Sequence, residues 1–302
     1  MRGVFFIVGP TATGKSEIAA EVAKTVDAEI VSADAFQIYR GLDLLAAKPD
    51  AATVAKAPHH LIGTISILDE MSAAKFRERA LVTISEIHSR DKLSIVVGGS
   101  GLYIKALTHG LSSTPAADPE LRVRLNELSL HDLQTELMGL DPEAASKIDV
   151  KNRRRLVRAI EVCLLSEQKT LGQRKEWESD VGTKGVFVFR ERDEIYERIN
   201  RRVEAMFENG VIEEARNAGA MSETASKMIG LREIRELLDG KMSISQCVAA
   251  IQQATRRYAK RQLTWFRHQT NFAPLNLSLL THQEAVAWIS QRASRSLAQG
   301  ND

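Results

Sequence analysis

Residues Gly9-Pro10-Thr11-Ala12-Thr13-Gly14-Lys15-Ser16 have the types and spacing to hold a phosphate chain. They follow the apolar run Val4–Val8 and precede a helical pattern at Ile18–Ala23. Strand, glycine-rich turn and helix, with G-x-x-x-x-G-K-S in the turn, make a P-loop. Gly9 and Gly14 let the backbone curl until several N–H groups face one phosphate. The helix opening at Lys15 directs its positive end to the same point. Lys15 adds a mobile cation, and Ser16 offers a hydroxyl to Mg²⁺. This spacing calls for a di- or triphosphate and does not select ATP.

Two further groups could act beside that loop. Asp34 ends the short strand pattern Ala28–Ala33, and ligands of doubly wound sheets sit beyond the carboxyl ends of strands. The alternative is a turn cap, which aspartate often is. Ser100 lies in Gly98-Gly99-Ser100-Gly101, directly after the apolar strand Leu93–Val97. A tight turn with an incidental serine explains that spacing equally well. His59 and His60 are adjacent, so their side chains diverge, and no nearby Cys or His completes a metal site.

Basic residues form two clusters. Arg154, Arg155 and Arg158 lie off the apolar face made by Leu156, Ile160, Cys163 and Leu164, with no acid before Glu161. Arg256, Arg257, Lys260, Arg261 and Arg267 interleave with Tyr258 and Trp265 on a long helical pattern, about 244–268. Guanidiniums beside aromatics suit a phosphate backbone and an unstacked base. A solvated basic face is the simpler alternative for each. The formal charge of the 302-residue chain is only +2, so a nucleic-acid footprint must be local.

The elements that position these groups alternate as strands and helices. The pattern predicts an α/β fold: a P-loop NTPase-like parallel sheet flanked by helices, with a helical insertion domain. Residues 1–114 and 185–275 form the core domain, 115–184 the insertion, and 276–302 a C-terminal tail expected to fray. Residues Ala73 to His88 form an amphipathic helix with Phe76, Ala80, Ile84 and Ile87 inward. A helix from Asp193 to Phe207 turns Ile195, Ile199, Val203 and Met206 inward and sets Arg198 and Arg202 on one face. Cys163 and Cys247 read as buried thiols. The apolar run at the start is too short for a membrane or signal segment, which leaves a cytoplasmic enzyme as the expectation.

Taken together, these motifs resemble the bacterial tRNA dimethylallyltransferases, also called tRNA isopentenyl transferases. The matching stretches are Gly9–Ser16, Asp34 to Tyr39, Ala47-Lys48-Pro49, Pro58–Ile62, Gly98–Tyr103, Ala117-Asp118-Pro119 with Arg122, Arg155–Ala159, Arg198–Val203, Ile229-Gly230 and Gln253 to Arg267. They run in family order over most of the chain. The resemblance implies transfer of a dimethylallyl group from dimethylallyl diphosphate to N6 of adenosine 37, beside the tRNA anticodon. It implies Asp34 as proton acceptor and Ser100, where most members have threonine, as a positioning hydroxyl. It gives the diphosphate to Gly9, Pro10, Thr11, Ala12, Thr13, Gly14, Lys15, Ser16 and Arg202, with Mg²⁺ on Ser16. It brings the anticodon stem-loop to Asp34, Ala35, Phe36, Gln37, Ser100, Arg122, Arg154, Arg155, Arg158, Lys260, Arg261, Trp265 and Arg267. The target base must leave its stack to reach Asp34. A monomer is expected, with no membrane partner.

Several positions depart from the family. Ala35 and Phe36 follow the aspartate where serine is usual, Ala46 replaces a threonine, and Gly63 stands where many members carry aspartate. Phe36 is expected to lie against the anticodon loop. Three competing readings are a P-loop small-molecule kinase, an enzyme prenylating free adenylates, and a non-catalytic RNA-binding protein. The basic helices argue against the first two. Lys15, Ser16 and Asp34 together argue against the third.

Overall fold

The computed structural model describes residues 3–111, 115, 117–166 and 183–298. The chain divides into two compact units, 1–109 with 180–302, and 110–179. The insertion was expected at 115–184.

The first unit is built on a six-stranded sheet. Its strands are β1 (Val4–Val8), β2 (Ala28–Ser32), β3 (His59–His60), β4 (Leu93–Gly98), β5 (Lys184–Phe189) and β6 (Ala273–Asn276), in the order β3-β2-β4-β1-β5-β6. Every pairing is parallel, with Val4 opposite Ser94 and Phe5 opposite Lys184. Parallel strands buried on both faces read as continuous apolar runs, as β1 does. The period of two sends Phe6 and Val8 into one core and Phe5 and Ile7 into another across the sheet. Because all strands run one way, the ends of β1, β2, β4 and β5 share one edge of the sheet.

Helix α1 (Lys15–Thr25) follows β1 directly, and α2 (Ala51–Val54) is a single turn. Helix α3 (Ala73–His88) starts where the Ser72 side chain caps the Lys75 amide at 3.2 Å, and it buries Phe76, Ala80, Ile84 and Ile87 as expected. Helix α4 (Gly101–His109) leaves β4 through the glycine-rich turn.

The second unit, among the described residues, is all helix. It comprises α5 (Pro119–Glu127), α6 (Leu130–Leu140), α7 (Pro142–Lys147) and α8 (Arg153–Leu165) around Leu125, Leu133, Leu137, Leu156 and Ile160. A capping box between Ser129 and Asp132 begins α6. The expected face of α8 needs correction at its end. Leu164 is exposed and Cys163 half-buried, whereas Val157, Ala159 and Val162 are buried. The stripe therefore runs through 156, 157, 159, 160 and 162, one residue-width away from the face drawn through Leu164.

Back in the first unit come α9 (Arg192–Glu208), α10 (Val211–Asn217), α11 (Leu231–Leu238) and α12 (Ile244–Gln269). On α9, Ile195, Ile199 and Val203 are buried and Met206 is half-buried. A capping box between Ser243 and Gln246 starts α12, whose buried seam is Cys247, Ile251, Thr255, Ala259, Gln262 and Phe266. The C-terminal stretch is not a fraying tail. β6 adds a strand beside β5, and α13 (His282–Ala298) buries Ala285, Ile289 and Ala293 in the core that contains Ile18 and Val22 of α1. A four-residue edge strand holding Pro274 gave too little pattern to show this in advance. Edge strand β3 is likewise only two residues long. Among the described residues no helix is long and apolar enough to cross a membrane.

Candidate active site

A cavity of about 370 Å³ opens at the shared strand edge. Its wall carries Lys15, Ser16, Asp34, Lys48, Arg198 and Arg202. The P-loop supplies one side. Gly14 is left-handed (φ 86°) and precedes α1, whose first amides have no intrahelical acceptor. A side chain on Gly14 would also crowd the Arg198 guanidinium, at 3.3 Å. Gly9 has a different reason from the one expected. A Cβ there would lie 2.1 Å from the Val188 carbonyl, so glycine lets β5 approach the loop.

Three arginines after β5 brace consecutive loop residues. Arg190 Nε donates to the Thr13 carbonyl at 2.8 Å, Arg198 Nε to the Ala12 carbonyl at 2.8 Å, and Arg202 Nη1 to Thr11 Oγ1 at 2.9 Å. Arg198 and Arg202 are one helical turn apart on α9, so one face delivers both. Arg190 is an addition to the expected set. Its signal lay only in its place after a strand, at the edge where ligands gather.

Charge in the cavity is concentrated and poorly hydrated. Burial lowers Lys15 to about 8, with Asp34 opposing and Arg202 adding to the shift. Burial also lowers Arg202, again with Asp34 opposing and Arg198 contributing. Lys15 Nζ donates to the Pro10 carbonyl at 3.1 Å. Such half-buried cations are costly without an anion, so the cavity is poised to take one.

Asp34 lies just past the end of β2. Its Oδ1 accepts from the Phe36 amide at 2.9 Å and the Gln37 amide at 3.3 Å. Asp34 therefore caps a turn and also lines the cavity. Beside it, Ser100 Oγ accepts from the Ala35 amide at 3.0 Å. That contact joins the β2 and β4 ends. Tyr258 of α12 reaches the same place. Burial raises its phenol above the ordinary value and the Asp34 charge adds to this, while neighbouring Ser100, Arg261 and Gln262 oppose. The sequence set Tyr258 among the basic residues of this helix, not at the site.

Other expected residues have structural partners. Gln37 Nε2 donates to the Ala47 carbonyl at 3.0 Å and its Oε1 accepts from Ser32, so its amide is occupied internally. Phe36 and Ala35 are half-buried against the main core. Trp265 packs on Gly101, where a Cβ would fall 2.5 Å from its ring. His59 bonds the Ala57 carbonyl and His60 bonds Glu29, consistent with diverging side chains.

In the helical unit, the reading of α8 as an unpaired basic face needs correction. Glu161 is fully buried and takes Arg122 Nε at 2.9 Å, Arg122 Nη2 at 3.0 Å, Arg158 Nη1 at 2.5 Å and the Asp118 amide at 2.8 Å. Burial pushes its carboxyl up, but the two arginines and the amide together hold it below the usual value. Arg122 and Arg158 therefore serve the fold of this unit. Arg154 and Arg155 are exposed. On α12, Arg257, Lys260, Arg261 and Arg267 are exposed as well, with Arg261 over the Tyr258 ring and Arg267 over Phe189, each at 5.7 Å.

The IPP transferase sequence pattern matches residues 37–269. This chain belongs to that family. It is 42% identical over 270 residues to a tRNA dimethylallyltransferase 1 of Citrifermentans bemidjiense, covering 87% of this chain and 88% of the relative. It is 40% identical over 264 residues to a tRNA dimethylallyltransferase of Akkermansia muciniphila, covering 87% and 90%. A crystal structure of the full-length tRNA isopentenylpyrophosphate transferase from Bacillus halodurans aligns over 100% of this chain and 98% of that one. Its TM-score is 0.74 and its identity 32%. The family pattern begins at Gln37, so the P-loop and Asp34 lie just before it. In this family member the cavity nevertheless joins the P-loop to Lys48, Arg198 and Arg202 inside the pattern.

Proposed function

We propose that the chain transfers a dimethylallyl group from dimethylallyl diphosphate to N6 of adenosine 37 in tRNA, releasing diphosphate. The observation that carries this reading is Asp34 on the wall of the same cavity as Lys15 and Arg202, with one carboxylate oxygen tied to two amides. A proton acceptor beside an anion cradle suits displacement of diphosphate by an amine. The names of the relatives support the donor and the acceptor.

The P-loop amides, Lys15, Arg198 and Arg202 hold the diphosphate. Lys15 swings from the Pro10 carbonyl to a phosphate oxygen. N6 attacks the first carbon of the dimethylallyl group. The carbon–oxygen bond breaks, and its electron pair leaves with the diphosphate. The N6 proton passes to the free oxygen of Asp34. Fixed cations around the leaving group stabilise the charge that develops there. Ser100 bonds the Ala35 amide and so holds the turn that aims Asp34. Ser16 and Glu17 put oxygen donors of the kind Mg²⁺ takes on the cavity wall, and Ser16 would hold the ion. Mg²⁺ bound at Ser16 supplies further neutralisation of the diphosphate.

Exposed Arg154 and Arg155, with Arg257, Lys260, Arg261 and Arg267, are the phosphate contacts for the anticodon stem-loop. The enzyme works in this reading as a cytoplasmic monomer. Mass spectrometry of nucleosides tests it, using unmodified tRNA incubated with the protein, Mg²⁺ and dimethylallyl diphosphate, beside an Asp34→Ala control. Prenylated adenosine with the natural chain and a large loss in the variant is the expected result. No product from a mixed tRNA pool that binds tightly to the folded protein overturns it.

A further inference from the structure

Helix α12 does more than present a basic face. Gln262 is 5% exposed, and both ends of its amide are used. Its Oε1 accepts from the Thr11 amide at 2.9 Å, and its Nε2 donates to the Gly99 carbonyl at 2.8 Å. One side chain therefore ties the P-loop to the turn that carries Ser100. The contacts continue at both ends. Thr11 Oγ1 takes Arg202, and Ser100 Oγ takes the Ala35 amide next to Asp34.

The glycines of the turn follow from this approach. A Cβ on Gly99 would stand 2.3 Å from Gln262 Nε2, and one on Gly101 would stand 2.5 Å from the Trp265 ring. Ser100 sits between the two positions that α12 presses upon. Tyr258, one turn before Gln262, lies near Ser100 as well. Gln262 and Trp265 of α12 thus press on one turn from adjacent positions.

We infer that Gln262 is a positioning residue that fixes the spacing between the diphosphate cradle and the Asp34–Ser100 pair. The inference rests on the proposed transfer reaction and adds a residue to it. The Gln262 amide supplies both the donor and the acceptor that this tie uses. Methionine has neither to match, and an ionised glutamate can only accept. Losing the tie lets donor carbon and acceptor nitrogen drift, and a displacement near 1 Å costs about 100-fold in rate.

The test compares the natural chain with Gln262→Met and Gln262→Glu. Single-turnover transfer, the KM for tRNA and thermal unfolding are measured on each full-length protein. For both variants the expected result is a fall of about 100-fold in the transfer rate, with the KM for tRNA within about threefold. A folded variant transferring within about threefold of the natural rate overturns the inference. So does a KM rise that accounts for the whole loss, because that makes Gln262 a binding residue. If both variants fail to fold, Gln262 is a residue of the fold alone and the inference also falls. A natural chain without transfer would instead remove the reaction itself. Inorganic pyrophosphate binding to the same variants then still reports whether the tie shapes the cradle. Unchanged affinity for pyrophosphate in both folded variants, in that case, overturns the inference too.

Discussion

Asp34 has its two oxygens in different employment. Oδ1 holds the Phe36 and Gln37 amides, a job that an asparagine oxygen also performs. Asp34→Asn should therefore keep the turn and lose the proton acceptor. Transfer is expected to fall about 10³-fold while pyrophosphate affinity stays near that of the natural chain. Calorimetry with pyrophosphate beside the nucleoside assay checks both halves. Lys15 adds a pH signature. Its value of about 8 in the folded protein is below the ordinary 10.5. Above pH 8 the ligand-free protein loses the Lys15 charge, so pyrophosphate affinity should weaken as pH rises, and Lys15→Met should flatten that limb. Stability moves the other way. Between the two pKa values the unfolded chain holds more protons, so the Lys15 contribution to folding grows with pH. Urea unfolding of the ligand-free protein at pH 7.5 and about 9.5, against Lys15→Met, measures this difference.

At the scale of elements, α8 divides its arginines between two tasks. Glu161 is a buried carboxylate whose charge depends on Arg122 and Arg158. Replacing both by alanine strands that carboxylate and should cost about 3 kcal/mol. Hydrogen exchange of the α8 amides reads this loss within the helical unit. Arg154→Ala with Arg155→Ala should leave exchange unchanged and weaken tRNA binding. The difference was only partly legible in the sequence. The periodicity of α8 showed which arginines leave the apolar face, but not that a glutamate on that helix turns inward beneath them. The P-loop was fully legible, because its strand, turn and helix are contiguous. Arg190 and Gln262 were not, since their loop partners lie 177 and 251 residues away in sequence. Ties of that length belong to the tertiary structure, and no local spacing announces them. The place of Asp34 at a strand end was legible; its double duty required the coordinates of two amides.

The whole molecule carries a formal charge of only +2, yet α8 exposes Arg154 and Arg155, and α12 exposes Arg257, Lys260, Arg261 and Arg267. Contacts with about six phosphates should make tRNA affinity fall on the order of 10³-fold between 50 and 200 mM salt. Filter binding across that range is the measurement, and a nearly flat response would remove the electrostatic part of the interface. Pyrophosphate, held by a few groups in one cavity, should respond far less steeply.

The packing of α13 on the α1 side of the sheet bears on how the protein is made. Synthesis runs from the N-terminal side, so α1 leaves the ribosome before α13. The residues that close its core, Ala285, Ile289 and Ala293, follow only after all six strands. Until they arrive, apolar surface around Ile18 and Val22 stays open to water and to chaperones. A message cut short before His282 therefore yields a protein with its phosphate loop complete and its flank bare. Such a product advertises its own incompleteness to the machinery that removes unfinished chains.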